Sequence, residues 1–355
     1  MTEQPRCVGC QGLRQTWTRN GGPSLVNQLR WGIIGPGRIA PRIVRALSGS
    51  SRGALVAVAS RDLERARAFA ANFGIGQAYG SYDELLKSPE VDVVYVSLPN
   101  HLHAEWTVRA LDAGKHVLCE KPLALTVEEV DMIIEAAHRA GRIAVEGFTY
   151  LHHPQTIRAF ELARDGALGT LEFVRGTFSF MLTYPNDPRT DPEMGGGSLW
   201  DVGCYPVSFA RNLAGAEPEE VRAFARFDDR GVDRTFIGQL LFPNGLLAQF
   251  DCGFAAPDRE EVEIVGSDAA LVLGAPFLPA PDGPPPSVTM WRGRSSTPVE
   301  VSSLDQYQAE VEDLMSAIVE GTAPGLTLES SRANVATLVA LDHDARARRH
   351  DAPSA

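Results

Sequence analysis

The run Trp31-Gly32-Ile33-Ile34-Gly35-Pro36-Gly37-Arg38-Ile39-Ala40 restricts this chain more than any other part of it. An apolar strand passes directly into G-x-G-x-x-A and then into a helical stretch, the strand-turn-helix junction at which a parallel α/β sheet receives a dinucleotide. Gly35 permits the tight turn, Gly37 lets backbone approach a pyrophosphate, and Ala40 allows close helix packing. The helix start contributes free N–H groups and positive dipole. Arg38 and Ile39 belong to the same cradle. An ordinary glycine turn is the competing reading, and the βαβ context weighs against it.

That context extends over about 30–150. Short apolar runs at 30–34, 55–59, 76–79, 92–97, 116–119 and 143–147 alternate with helical patterns at 38–47, 62–73, 81–87, 104–113 and 127–139. Val130, Ile133, Ile134 and Ala137 illustrate the helical spacing. The rhythm predicts a doubly wound Rossmann domain. Beyond Leu151 it changes to a helix near 154–165 and longer alternating strands at 169–182, 221–228, 234–242, 245–253 and 260–266. These predict an α+β domain (151–355) with an open, mostly antiparallel sheet whose helices lie on one face. Residues 275–287 read as a Pro/Gly loop. Final helices at about 304–320 and 328–347 follow, and Val335, Leu338, Val339 and Leu341 are expected to dock the last one on the first domain. A length of 355 residues suits two domains.

Composition narrows the partners. Thirty-three basic against 45 acidic side chains give a net charge of −12, with no basic run, which excludes nonspecific attraction to nucleic acid or anionic membrane. No apolar run spans a membrane and no secretory pattern is visible, so a cytoplasmic location is expected. Five cysteines are too few and too scattered for a disulfide framework. Residues 1–29 read as a tail outside the fold. Its Cys7-x-x-Cys10 pair lacks a second pair of zinc ligands, and no metal is expected.

At the end of the second strand an NAD enzyme commonly carries an acidic residue for the ribose 2′-hydroxyl. Here Ser60 and Arg61 stand there, suited to a 2′-phosphate, so NADP is preferred with NAD still possible. In the alternative, Arg61 opens a solvated helix that Asp62 caps. Two polar segments follow strands at the ligand-binding edge of the sheet, Leu98-Pro99-Asn100-His101-Leu102-His103 and Glu120-Lys121-Pro122. Lys121 is a candidate acid/base group with a pKa expected to fall through desolvation and nearby positive charge. A surface lysine paired with Glu120 is the bland alternative. Gly195 to Pro206 supplies the third segment. A helix from about Ser198 would put Asp201 and Tyr205 on one face, with Lys121 placed to lower the phenol's pKa. Tyr205 as a half-buried core aromatic is the competing view. Cys119 and Cys204 read as core residues.

Together these segments resemble the glucose-fructose oxidoreductase/inositol dehydrogenase/MocA family over about 30–347. The likeness rests on G-P-G-R-I-A, A-S-R, P-N-x-x-H, A-G-K-H-V-L-C-E-K-P at 113–122, the stretch 146–155, and G-G-G-S-L-W-D-V-G-C-Y-P at 195–206. It implies a Rossmann domain, a C-terminal open-faced sheet serving homodimer or homotetramer contacts, and a tightly held nicotinamide coenzyme near Gly35, Gly37, Arg38, Ile39, Ser60, Arg61, Leu98, Pro99, Asn100, His103, Glu120 and Lys121. It also implies a catalytic Lys121, a conserved Asp201 and a terminal Tyr205, where many sugar-specific members have His. Tyr205 points to the branch of dihydrodiol and D-xylose dehydrogenases and sugar ketoreductases. The implied activity is hydride transfer between NADP and a carbinol or carbonyl carbon of a sugar, polyol, sugar derivative or cyclic diol. The rivals are an NAD-using glycosidase of the same family and a noncatalytic cofactor-sensing protein.

Overall fold

The computed structural model describes residues 28–184, 187–278 and 286–348. The Cys7/Cys10 pair and most of the expected tail lie outside them.

The first domain runs β1 (Leu29–Ile34), α1 (Ala40–Ser48), β2 (Gly53–Ala59), α2 (Leu63–Phe73), β3 (Gln77–Tyr79), α3 (Tyr82–Lys87), β4 (Val93–Val96), α4 (His103–Asp112), β5 (His116–Glu120), α5 (Val127–Ala140) and β6 (Ala144–Gly147). All six strands pair parallel in the order β3-β2-β1-β4-β5-β6. The order reverses between β1 and β4, which opens a crevice at their carboxyl ends. Strand β4 is buried at every position, as expected of a sheet covered on both faces.

The second domain follows through α6 (Pro154–Arg164), β7 (Leu171–Met181), α7 (Cys204–Ala214), β8 (Glu220–Phe227), β9 (Asp233–Leu241), β10 (Leu247–Gly253), β11 (Ala255–Gly266), β12 (Ala270–Gly274), β13 (Ser287–Arg292) and β14 (Ser295–Val299). Its eight strands take the order β14-β13-β12-β11-β7-β10-β9-β8. Only β7 and β10 pair parallel; the other contacts are antiparallel. Helix α7 packs on one face so closely that a Cβ at Gly176 of β7 would lie 2.7 Å from Pro206 Cβ. The far face stays open, with Leu247, Ile237 and Phe224 exposed beside Gln239 and Gln249.

Of the Pro/Gly loop expected over 275–287, residues 279–285 lie outside the described residues; β13 begins at Ser287, and β12 to β14 escaped the sequence reading. Strand β14 is almost wholly exposed and carries Pro298, which an edge strand tolerates because one side of its backbone has no partner. Helices α8 (Gln306–Glu320) and α9 (Leu328–Ala347) return to the first domain. On α9, Arg332 pairs with Asp131 of α5 at 2.6 Å and Val335 joins the first domain's core. Leu338 and Leu341 are buried in the larger core, whereas Val339 is exposed, so the expected docking stripe is narrower than drawn.

Candidate active site

The glycine turn shapes one end of a cleft of about 1230 Å³ between the domains. Gly35 has φ +84°, and a Cβ there would meet Leu98 Cδ2 at 2.6 Å and Ser97 O at 2.7 Å. Any side chain would strain the turn and fill the space. No side chain caps the N-terminus of α1, which faces the turn with Pro41 in its first positions. Four arginines from the first domain line this part of the cleft: Arg38, Arg42, Arg61 and Arg65. Arg65 donates to Pro36 O at 3.0 Å. Such a cradle, ringed by guanidinium groups, fits a dinucleotide carrying an extra phosphate.

Asp62 caps α2 by accepting from the N–H of Glu64 at 2.9 Å and of Arg65 at 3.3 Å, so the competing view of this segment holds for Asp62 while Arg61 still lines the cleft. Ser60 departs from expectation. It is buried, does not line the cleft, and its Oγ accepts from Asp62 N–H at 3.2 Å. The hydroxyl turns inward because the tight exit from β2 leaves that N–H needing an acceptor.

The second loop brings Leu98, Pro99 and Asn100 to the wall, and Asn100 Nδ2 donates to Gly195 O of the second domain at 2.9 Å. His103 is almost fully buried. Its Nδ1 lies 2.7 Å from Pro122 O and its Nε2 2.7 Å from Leu98 O, so the ring ties the β4 loop to the Lys121 loop. Burial lowers its pKa, partly opposed by the two carbonyls.

Lys121 leaves β5 and reaches across the domains. Its Nζ donates to Asp201 O at 2.7 Å and Oδ1 at 2.9 Å, which leaves one of three N–H donors for another partner. Burial pulls the ammonium's pKa down, but the Asp201 charge outweighs it and the net shift is upward. The expectation of a lowered lysine pKa is therefore corrected: the facing carboxylate decides the sign. Nearby Glu120 accepts a hydrogen bond from the Tyr95 hydroxyl, and burial raises its pKa.

Tyr205 is 5% exposed within a ring of Phe148, Tyr150, Phe178 and Phe277. Lys121 Nζ sits 5.1 Å from its ring centroid, and no hydrogen bond joins the two among the described residues. Burial drives the phenol's pKa well above its usual value, opposite to the expected lowering. The segment before it is not regular α-helix. A π-helical turn covers Leu199–Gly203 and α7 starts only at Cys204, yet Asp201 and Tyr205 both face the cleft. Asp233 holds this turn, accepting from Ser198 Oγ at 2.5 Å and Leu199 N at 2.8 Å. A Cβ at Gly197, φ +132°, would lie 2.2 Å from Asp233 Oδ1, which explains glycine there. Cys119 and Cys204 are buried free thiols whose pKa burial raises, consistent with packing roles.

Several cleft residues escaped the sequence reading. Arg189 clasps Asp187 through Nε at 2.8 Å and Nη2 at 2.9 Å, and its Nη1 reaches Asp201 Oδ2 at 3.4 Å. Burial alone would raise the Asp187 pKa, but Arg189 and Arg38, the latter at 2.6 Å, hold it well below the carboxylate range. The Asn186-Asp187-Pro188-Arg189 run beside the glycines was the available signal. Gln306 and Tyr307 arrive from α8 with no local motif to mark them.

Glu146 of β6 lies behind the Lys121 loop. It is 1% exposed and its Oε1 accepts from Leu123 N at 2.8 Å. Burial raises its pKa from 4.5 to about 7. The unfolded chain therefore releases this proton first, and the stability contributed is full below pH 4.5 and lost as pH rises through 7. The shift corresponds to about 3 kcal/mol. Glu146→Gln is expected to flatten the fall in Tm between pH 5 and 8 by several degrees, read by calorimetry. Parallel slopes for both proteins would refute the assignment.

Comparisons with known proteins agree with this architecture. Residues 29–148 match the GFO/IDH/MocA oxidoreductase family with NAD-binding Rossmann fold, and residues 156–272 match the GFO/IDH/MocA C-terminal domain. A D-xylose 1-dehydrogenase (NADP(+)) of Haloferax volcanii is 35% identical over 88% of this chain and 96% of its own. The crystal structure of a 3-ketoreductase from Actinomadura kijaniata with NADP and TDP-benzene superposes with TM-score 0.84 at 32% identity, over 90% of this chain and 98% of that one. Aldose-aldose oxidoreductase from Caulobacter crescentus, complexed with glycerol, gives TM-score 0.84 at 30% identity over 91% and 99%. With its Rossmann sheet, its open C-terminal sheet and a lysine from one meeting an aspartate from the other, the chain belongs to the glucose-fructose oxidoreductase/inositol dehydrogenase/MocA family.

Proposed function

We propose that the protein is an NADP-dependent oxidoreductase acting on a carbinol or carbonyl carbon of a sugar, sugar derivative or cyclic diol. When bound, the coenzyme supplies or accepts hydride at nicotinamide C4. Gly35, Gly37, Arg38 and Ile39 would hold its pyrophosphate, Arg61 and Arg65 its 2′-phosphate, and Leu98, Pro99 and Asn100 its nicotinamide half. His103, which ties the β4 loop to the Lys121 loop, and Glu120 would line the same wall.

Lys121 places its remaining N–H toward the reacting oxygen and stabilises the negative charge that develops there. In the direction of reduction, Tyr205, whose burial keeps it protonated, donates its proton to that oxygen. Asp201 fixes the lysine and accepts from a substrate hydroxyl. The observation that carries this reading is the Lys121–Asp201 pair, joined across the domains at 2.9 Å in the cleft that begins at the glycine turn. The exposed Phe224, Ile237 and Leu247 on the open sheet face support assembly of a homodimer or homotetramer through that face.

The test is a screen of the purified protein with NADP and NAD against aldoses, inositols, cyclic diols and nucleotide-linked ketosugars, followed by absorbance of the reduced nicotinamide. Net coenzyme turnover with NADP favoured is expected. Glycoside cleavage without net coenzyme change would favour the glycosidase, and coenzyme binding with no turnover of any kind the sensing protein.

A further inference from the structure

We infer that the substrate end of the cleft selects an electrically neutral sugar, polyol or diol over sugar phosphates, uronates and nucleotide-linked sugars. This rests on the oxidoreductase reading and deepens it. Three cations line the cleft away from the glycine turn and its helices: Lys121, Arg189 and Arg259. Each is bound to a carboxylate of this chain. Lys121 holds Asp201 at 2.9 Å, Arg189 holds Asp187 at 2.8 Å and reaches Asp201 at 3.4 Å, and Arg259 holds Asp251 at 2.8 Å.

The other cleft arginines, Arg38, Arg42, Arg61 and Arg65, sit on the glycine turn, on α1 and at the start of α2, where the coenzyme's own phosphates belong. Arg38 is in addition held by Asp187. Against the three cations the same walls carry Glu120, Asp187, Asp201, Asp258 and Glu260. Asp258 makes no ion pair among the described residues, and it lies where β11 shifts register against β7 between Ala255 and Arg259. Glu260 is capped by backbone N–H groups of Phe277 and Leu278.

An incoming phosphate or carboxylate must therefore pull a guanidinium or ammonium from its carboxylate and leave that carboxylate facing the new anion. Neutral hydroxyls meet no such cost. They accept from the unused Lys121 N–H and donate to the free lone pairs of Asp201 and Asp258.

The test compares matched pairs on the NADP-loaded full chain: D-glucose with D-glucose 6-phosphate, D-xylose with D-glucuronate, and methyl glucoside with UDP-glucose. Turnover is read as kcat/KM and binding by calorimetry. The neutral member is expected to lead by about a hundredfold. Equal or better use of the anionic members would overturn the inference while leaving the oxidoreductase reading intact. Normal coenzyme binding with no turnover of any pair would instead overturn that reading. Asp187→Asn, which removes the nearer of the two carboxylates holding Arg189, is expected to narrow the ratio to about tenfold. An unchanged ratio in a folded, coenzyme-binding variant would refute the stated cause.

Discussion

Lys121→Met is expected to lower kcat by about a thousandfold while changing NADP affinity only a few fold. Two of the lysine's three N–H donors are spent on Asp201, one on the main-chain oxygen and one on the carboxylate, which aims the third into the cleft. A preorganised donor at a developing oxyanion is typically worth about 10²–10³ in rate, and positioned acid/base catalysis about 10²–10⁴. Lys121 supplies the first and Tyr205 the second. Tyr205→Phe is expected to lose less, about 10- to 100-fold, because the phenol has no hydrogen bond to the lysine and its pKa is raised rather than tuned down. The net upward shift of the lysine keeps it an ammonium through the neutral range, so the wild-type pH-rate profile should show no limb from its titration between about pH 6 and 9. Steady-state kinetics with coenzyme affinity measured separately decide the matter. More than a tenth of wild-type turnover in Lys121→Met would remove the lysine from the mechanism.

The first domain was legible because each strand and helix carries its own local pattern, and the observed parallel order follows from that alternation. The glycine turn and the Lys121 loop were legible for the same reason, since each is a contiguous segment at a known strand end. What remained hidden depends on distance in the chain. Arg189 acquires its role only when Lys121 is carried 80 residues along the sequence to Asp201. Gln306 and Tyr307 enter the cleft because α8 returns over α1, which no local periodicity announces. The signs of the Lys121 and Tyr205 shifts were misread for a related reason. Spacing showed that the groups would meet, but whether the lysine faces a carboxylate or a cation, and how completely the phenol is enclosed, are properties of packing. Ser60 shows the limit within a single turn, where a hydroxyl in the right place by count was taken by the neighbouring N–H.

Arg61→Ala combined with Arg65→Ala is expected to reduce the preference for NADP over NAD by about a hundredfold, leaving NAD affinity nearly unchanged. Both arginines line the cleft beside the end of β2, and Asp62 between them is committed to the α2 N-terminus through two backbone N–H groups. A ribose 2′ group held beside this segment would meet guanidinium groups, which favours a phosphate there over a hydroxyl. A hydrogen bond to a charged group contributes about 1.5–3 kcal/mol, so losing two reaches or exceeds a hundredfold, less the part that exposed charges lose to screening. The single Arg61→Ala change should account for roughly tenfold, and the whole effect should shrink as salt is raised. Fluorescence titration with NADPH and NADH gives both affinities directly. A double variant that still discriminates as the wild type does would mean that the 2′-phosphate is held elsewhere, with Arg38 and Arg42 the remaining arginines at the glycine-turn end of the cleft.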